Sequence, residues 1–274
     1  MKEMEITKQD FEEILPVATS SHEEVFEKVK PHFLSTINDC KAGVLGDVGT
    51  SAIEGEGNES LKKTVKEWVC LQAFLAVFRQ LDLVLTSTGF GVVSTNQVAP
   101  VSKQRVDALI GHLRDRALLA HGRLLCLLCK VEGWGTSDQA RENIDTLFFY
   151  FQLLQKMQGP AASHLDWQAA QRLIGEADEA LRLKLSNQYM DELLDHVRRG
   201  AETAEDKPVI FLCRHIIYHW IAGDQESVRL KKRRLLRMLD GDLEHYSTYA
   251  EHGYPVNHHE NFQNTQDAPA YVFG

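Results

Sequence analysis

The chain has 274 residues, 43% hydrophobic and 25% charged, with a formal charge of −9. That length gives room for one large domain or two small ones, and the composition is ordinarily globular. The acidic balance disfavours direct nucleic-acid binding through a broad basic groove, and no apolar run approaches the roughly 20 residues that span a bilayer.

Thr7 and Asp10 open a short helical stretch with Phe11, Ile14 and Leu15, closed by Pro16. Acidic residues throughout this start stand where a signal peptide needs an apolar run, so the chain is expected to stay where it is made. Ser20 or Ser21 then caps a helix carrying Val25, Phe26, Val29, Phe33, Leu34 and Ile37, with a kink or break expected at Pro31. Residues 41–59 hold five glycines and no periodicity, which reads as a long flexible loop that orders against a partner. Ser60 caps a helix from 61 to about 80, with Trp68, Leu71, Leu75 and Phe78 as one stripe and Val65, Phe74 and Val77 beside it.

Next come two β-prone runs around a Thr/Ser/Gly turn, LDLVLTSTGFGVVS. A long helix runs from Pro100 and Ser102 to Cys129, where Gly133, Trp134 and Gly135 stop it. Thr136 or Ser137 caps the following segment, and residues 147–157, LFFYFQLLQKM, read as helix. Helices at about 165–185 and 187–199, a polar linker at 201–207, a helix opening at Pro208 and another through 224–252 complete the helical part. The residues from 254 onward lose the period and end in a small β-prone run.

Each candidate site has a plainer reading. Cys126 and Cys129 share a helix face in an apolar run without a second CxxC, so they are read as packing residues. His245, His252, His258 and His259, with Glu251 and Glu260, offer imidazoles and carboxylates to a metal, but no HExxH occurs and a solvated tail is favoured. His215 and His219 are read as core histidines. Gly89-Phe90-Gly91 precedes valines rather than a helix start, so it is read as a turn and not a phosphate cradle. The run RLKKRRLLRM carries Arg229, Lys231, Lys232, Arg233, Arg234 and Arg237. It is read as a solvated face or a docking patch for an acidic partner, with Leu230, Leu235, Leu236 and Met238 inward. No catalytic signature stands out, and no metal or cofactor is expected.

Residues 81–110 resemble the core signature of a family of uncharacterised proteins from phages and prophages of gut bacteria. Asp82, Thr86, Gly89, Phe90, Gly91, Val92, Val93, Ser94, Asn96, Ala99, Pro100, Ser102, Arg105 and Val106 carry the likeness. The layout of the C-terminal part, with Tyr246, Tyr249 and a tail ending YVFG, is also similar. The resemblance implies a structural-module gene of a tailed phage, and by analogy a helical neck adaptor beneath the portal.

The expected fold is therefore mostly α, a multi-helix bundle with one small β-hairpin sheet formed by about 81–98 and a C-terminal strand at 270–273. A helical domain spans 1–252 and an extended arm 253–274. The expected function is non-enzymatic: a head–tail connector that docks to portal and tail-proximal proteins and can form a homo-oligomeric ring. Its expected place is the virion neck or the bacterial host cytoplasm. Interface candidates are Thr86, Gly89, Phe90, Gly91, Arg229, Lys232, Arg233, Arg234, Arg237, Tyr271 and Phe273. The alternatives are a cytosolic enzyme or metalloprotein using the C-terminal His/Glu region, and a nucleic-acid-binding accessory factor using 229–237.

Overall fold

The computed structural model describes residues 4–16, 23–78, 83–86, 89–92 and 103–258. They are mostly helical and fall into two compact units, one within 1–170 plus 197–201 and one within 171–196 plus 202–274. No helix among the described residues is long and apolar enough to cross a membrane.

In the first unit, α1 (Lys8–Ile14) starts with a reciprocal capping box. The Asp10 amide donates to Thr7 Oγ1 at 3.1 Å, and the Thr7 amide donates to the Asp10 carboxylate at 2.9 Å. α2 (Glu23–Cys40) continues through Pro31, so of the expected kink or break the break does not occur. Phe26, Val29, Phe33 and Ile37 bury one face, while Pro31 and Glu27 lie on the exposed side, where water can take the carbonyl that proline leaves free. Leu34, placed inward by its spacing, is exposed.

The expected loop at 41–59 is also corrected. Lys41–Leu45 forms one wide π-helical turn and α3 (Gly46–Glu54) follows it. The carbonyls of that turn are taken up by distant side chains. Gln139 donates to Ala42 O at 3.2 Å, Asn143 to Gly43 O at 2.7 Å and Trp134 Nε1 to Val44 O at 3.1 Å. Gly49 lets α3 approach Leu128, whose Cδ2 would lie 3.1 Å from an added Cβ.

α4 (Glu59–Val77) has Asn58 rather than Ser60 at its N-cap. Its core face is Val65, Val69, Cys70, Ala73, Phe74 and Val77 with Leu61 and Leu71, so the stripe expected from Trp68 and Leu75 lies at the edge of the core. Two four-residue strands, β1 (Leu83–Thr86) and β2 (Gly89–Val92), pair antiparallel with Leu85 opposite Phe90 and Thr86 opposite Gly89. The other residues expected in this sheet, 81–82, 87–88, 93–98 and 270–273, lie outside the described residues.

α5 (Lys103–Leu128) packs along α4 and stops before Gly133, which adopts φ +84°. Trp134, fully buried, opens a 3₁₀ turn, and Ser137 caps α6 (Asp138–Asn143) by accepting from the Ala140 amide. α7 (Phe151–Gln158) starts later than expected, because 147–150 is not helical and Leu147 and Phe148 are buried there in succession.

α8 (His164–Leu185) and α9 (Asn187–Arg198) meet at Ser186, which takes φ +80° and accepts from the Tyr189 amide at 3.2 Å. In the second unit, α10 (Asp206–Ile221) and α11 (Gln225–Asp240) pack together. The unit buries Leu193, Ile210, Cys213, Ile216, Ile217, Leu235 and Tyr249. α12 (Ser247–His252) and α13 (Tyr254–Asn257) follow. The arm expected from 253 is corrected at its start: Asn257 donates to Lys184 O at 2.7 Å, and a Cβ on Gly253 would meet Leu185 O at 2.5 Å. Residues 253–257 are therefore held down by close backbone packing.

Candidate functional site

Two regions outside the core stand out. The first is the outer face of α11. Asp224 caps this helix by accepting from the Ser227 amide at 3.0 Å, and Val228, Leu235 and Leu239 bury its inner face. That rotation leaves Arg229, Arg233, Arg234 and Arg237 exposed, with no ion-pair partner among the described residues. Leu230, expected inward, is 50% exposed in their midst. Lys232 behaves differently. It is half-buried with its ammonium 5.3 Å from the Trp220 ring centre, and burial together with nearby Lys184 lowers its pKa. So four of the five candidates on α11 form one outward patch, and Lys232 packs inward.

The hairpin candidates fall in the paired strands. Thr86 ends β1, and Gly89, Phe90 and Gly91 lie within β2, so this Gly-Phe-Gly is strand rather than the expected turn. Tyr271 and Phe273 lie outside the described residues, as do His259 and Glu260.

The described histidines of the C-terminal region, His245, His252 and His258, each pair with a different carboxylate. His245 pairs with Asp242 at 2.8 Å, and its pKa is raised by that hydrogen bond. His258 pairs with Asp240 at 3.1 Å and stacks on Tyr254, and His252 neighbours Glu251 at 3.8 Å. No cluster able to hold a metal occurs among the described residues. His215 and His219, expected in the core, are half-buried. His215 lies 4.2 Å from the ring of exposed Phe211, and His219 lies 3.3 Å from Asp224. Of the CxxC pair, Cys129 is buried and Cys126 exposed, because a three-residue step on this helix straddles the edge of the buried face.

The second region has no counterpart among the candidates that the sequence suggests. A cleft of about 600 Å³ opens between α4, α5 and the first turn of α8. Trp68, Gln72, Leu75 and Ala76 form one wall, Arg114, Ala117, Leu118 and His121 another, and His164, Trp167 and Gln168 the third. Asp115 fixes the third wall, accepting from the His164 amide at 2.6 Å and lying 2.8 Å from its Nδ1. The His121 ring packs 6.1 Å from Trp68, and burial pushes its pKa down despite a hydrogen bond with Asn143. The one signal of this cleft in the sequence is that Trp68 and Leu75 share a helix face broader than a single packing partner requires.

A recess of about 610 Å³ beside α1 carries less promise. Six of its eight charged residues are already paired within it: Lys66 to Asp10 at 2.8 Å, Lys62 to Glu59 at 3.0 Å and Arg116 to Glu67 at 3.9 Å. Arg116 also donates to Ile14 O at 2.9 Å, tying α1 to α5.

Among curated proteins and among solved structures, no match was found to this chain. Residues 22–144, which span α2 to α6, are similar to a family of unknown function, DUF6712.

Proposed function

We propose that the chain is a non-enzymatic structural component of a tailed-phage or prophage particle, a head–tail connector that docks through the outer face of α11. The observation that carries the docking is the set of four exposed guanidinium groups with no ion-pair partner among the described residues, on a chain whose net charge is −9. By contrast, Arg123 sits against Glu67, and Arg182 against Asp178 and Asp191. Guanidinium groups held apart from local carboxylates suit an acidic surface on another protein, where they form bidentate pairs. The phage setting rests on the resemblance of residues 81–110.

In this reading the partners are portal and tail-proximal proteins together with further copies of the chain in a ring. The basic face of one subunit meeting an acidic face of the next gives a heterologous interface that closes. The site of action is the virion neck, reached from the host cytoplasm.

Mass spectrometry of purified particles tests this. Stoichiometric presence of the chain, together with its loss from particles when Arg233→Glu and Arg234→Glu are introduced, is the expected result. Absence from particles, or salt-steep binding of the isolated chain to duplex DNA, would give the patch to a nucleic-acid accessory role instead.

A further inference from the structure

The cleft between α4, α5 and α8 combines features that the docking role does not use. Its volume, about 600 Å³, lies in the range of small-molecule sites. None of the residues lining it carries a carboxylate, although the chain as a whole is strongly acidic. Its one formal cation, Arg114, has no ion-pair or hydrogen-bond partner among the described residues. Three other charged residues of the same helix are engaged: Asp115 with His164, Arg116 with Ile14 O and Arg123 with Glu67. Gln72 and Gln168 likewise make no side-chain hydrogen bond among the described residues, whereas Gln152 and Gln155 nearby donate to Leu119 O and Ala162 O.

The aromatic part is held in place. Trp167 packs against Phe148 at 6.3 Å, nearly parallel, and against Phe151 at 6.1 Å, edge-on. Trp68 packs against His121. His164 Nδ1 lies 2.8 Å from Asp115, which fixes the ring. The inventory is thus two fixed indoles and a fixed imidazole, with a guanidinium and two carboxamides that have no partner among the described residues.

We propose that this cleft binds a planar heteroaromatic anion of mononucleotide size. The ring lies against the indole surfaces, Gln72 and Gln168 hydrogen-bond its polar edge, and Arg114 takes the anionic group. Stacking on an aromatic side chain is tolerant of the ring's identity, and carboxamides, which both donate and accept, complement heterocycle edges. The absence of a lining carboxylate favours an anion over a cation of the same shape. This site is independent of the α11 face, so either assignment stands or fails alone.

Isothermal titration of the full chain with AMP, GMP, CMP and UMP, with the matching nucleosides and inorganic phosphate as controls, tests the proposal. The expected result is saturable one-to-one binding of at least one nucleotide, with weaker binding of its nucleoside and of phosphate. Arg114→Gln, on an exposed side chain, should weaken that nucleotide by about tenfold or more and leave the nucleoside unchanged. A circular-dichroism melt confirms that the variant is folded. Absence of binding by all four nucleotides at millimolar concentration, equal binding by phosphate alone, or an unaltered affinity in Arg114→Gln would overturn it.

Discussion

Phe11 sits in a helix of only seven residues, yet its ring lies within 5.8–6.1 Å of those of Phe26, Phe33 and Phe74. A helix that short has little stability of its own, so its place depends on this one side chain and on polar ties at either end. Phe11→Ala should cost about 3–5 kcal/mol in urea unfolding, the usual range for a buried phenylalanine. A loss below about 1 kcal/mol, the level of an ordinary substitution, would show that α1 is not part of the cooperative unit. The polar tie is pH-dependent. Partial burial alone would raise the Asp10 pKa, but hydrogen bonds from Lys66 and Thr7 outweigh it and hold the carboxyl below its ordinary 3.8. A depressed carboxylate stabilises the fold above the unfolded-state value and loses that contribution as pH falls through the folded one. The stability difference between wild type and Asp10→Asn should therefore be constant near neutrality and shrink below about pH 4. A difference that grows with acid contradicts the assignment. Gly135 is a third such residue. An added Cβ would sit 2.5 Å from Arg198 O and 2.7 Å from its carbonyl carbon, and backbone cannot swing aside. Gly135→Ala should destabilise by about 1–3 kcal/mol in thermal or denaturant unfolding.

Elements defined by local chemistry are legible in the sequence: the Thr7–Asp10 capping box, the Ser137 cap of α6, the arrest of α5 before Gly133 and the break between α8 and α9. Elements defined by what they touch are not. Residues 41–54 look like a glycine loop because neither Gly49 against Leu128 nor the side chains of Trp134, Gln139 and Asn143 on the π-turn carbonyls can be seen from within the segment. Likewise Leu147 and Phe148 suit a helix by composition, but both bury fully in non-helical chain. Hydrogen exchange separates helix from loop here. Amides at 47–54 should be protected in the free protein, and exchange at random-coil rates would restore the loop. On α11 the helix itself needs none of its outer arginines, since Val228, Leu235 and Leu239 anchor it. Arg233→Glu with Arg234→Glu should change stability by no more than about 0.5 kcal/mol per site, as for other exposed positions, so any loss of assembly would be a loss of docking.

At the scale of the whole chain, the mostly helical class follows from the 3.6-residue period, whereas the division into two units does not. The polar linker at 201–207 suggests a boundary there, but the units interleave: 197–201 groups with the first, while 171–196 groups with the second. The basic patch is legible as a charge run. Which of its members face outward depends on the rotation of α11, and the cleft depends on three helices that bring residues 68, 114 and 164 together. Docking of α11 onto an acidic protein surface in an assembling particle is tested most directly by a paired retention experiment. Tagged wild-type chain and the Arg233→Glu, Arg234→Glu variant serve as parallel baits in a lysate of particle-producing cells, with quantitative mass spectrometry of what is retained. Portal or tail-proximal proteins retained by wild type and lost by the variant is the predicted result; no particle protein on either bait, or equal recovery on both, would contradict it.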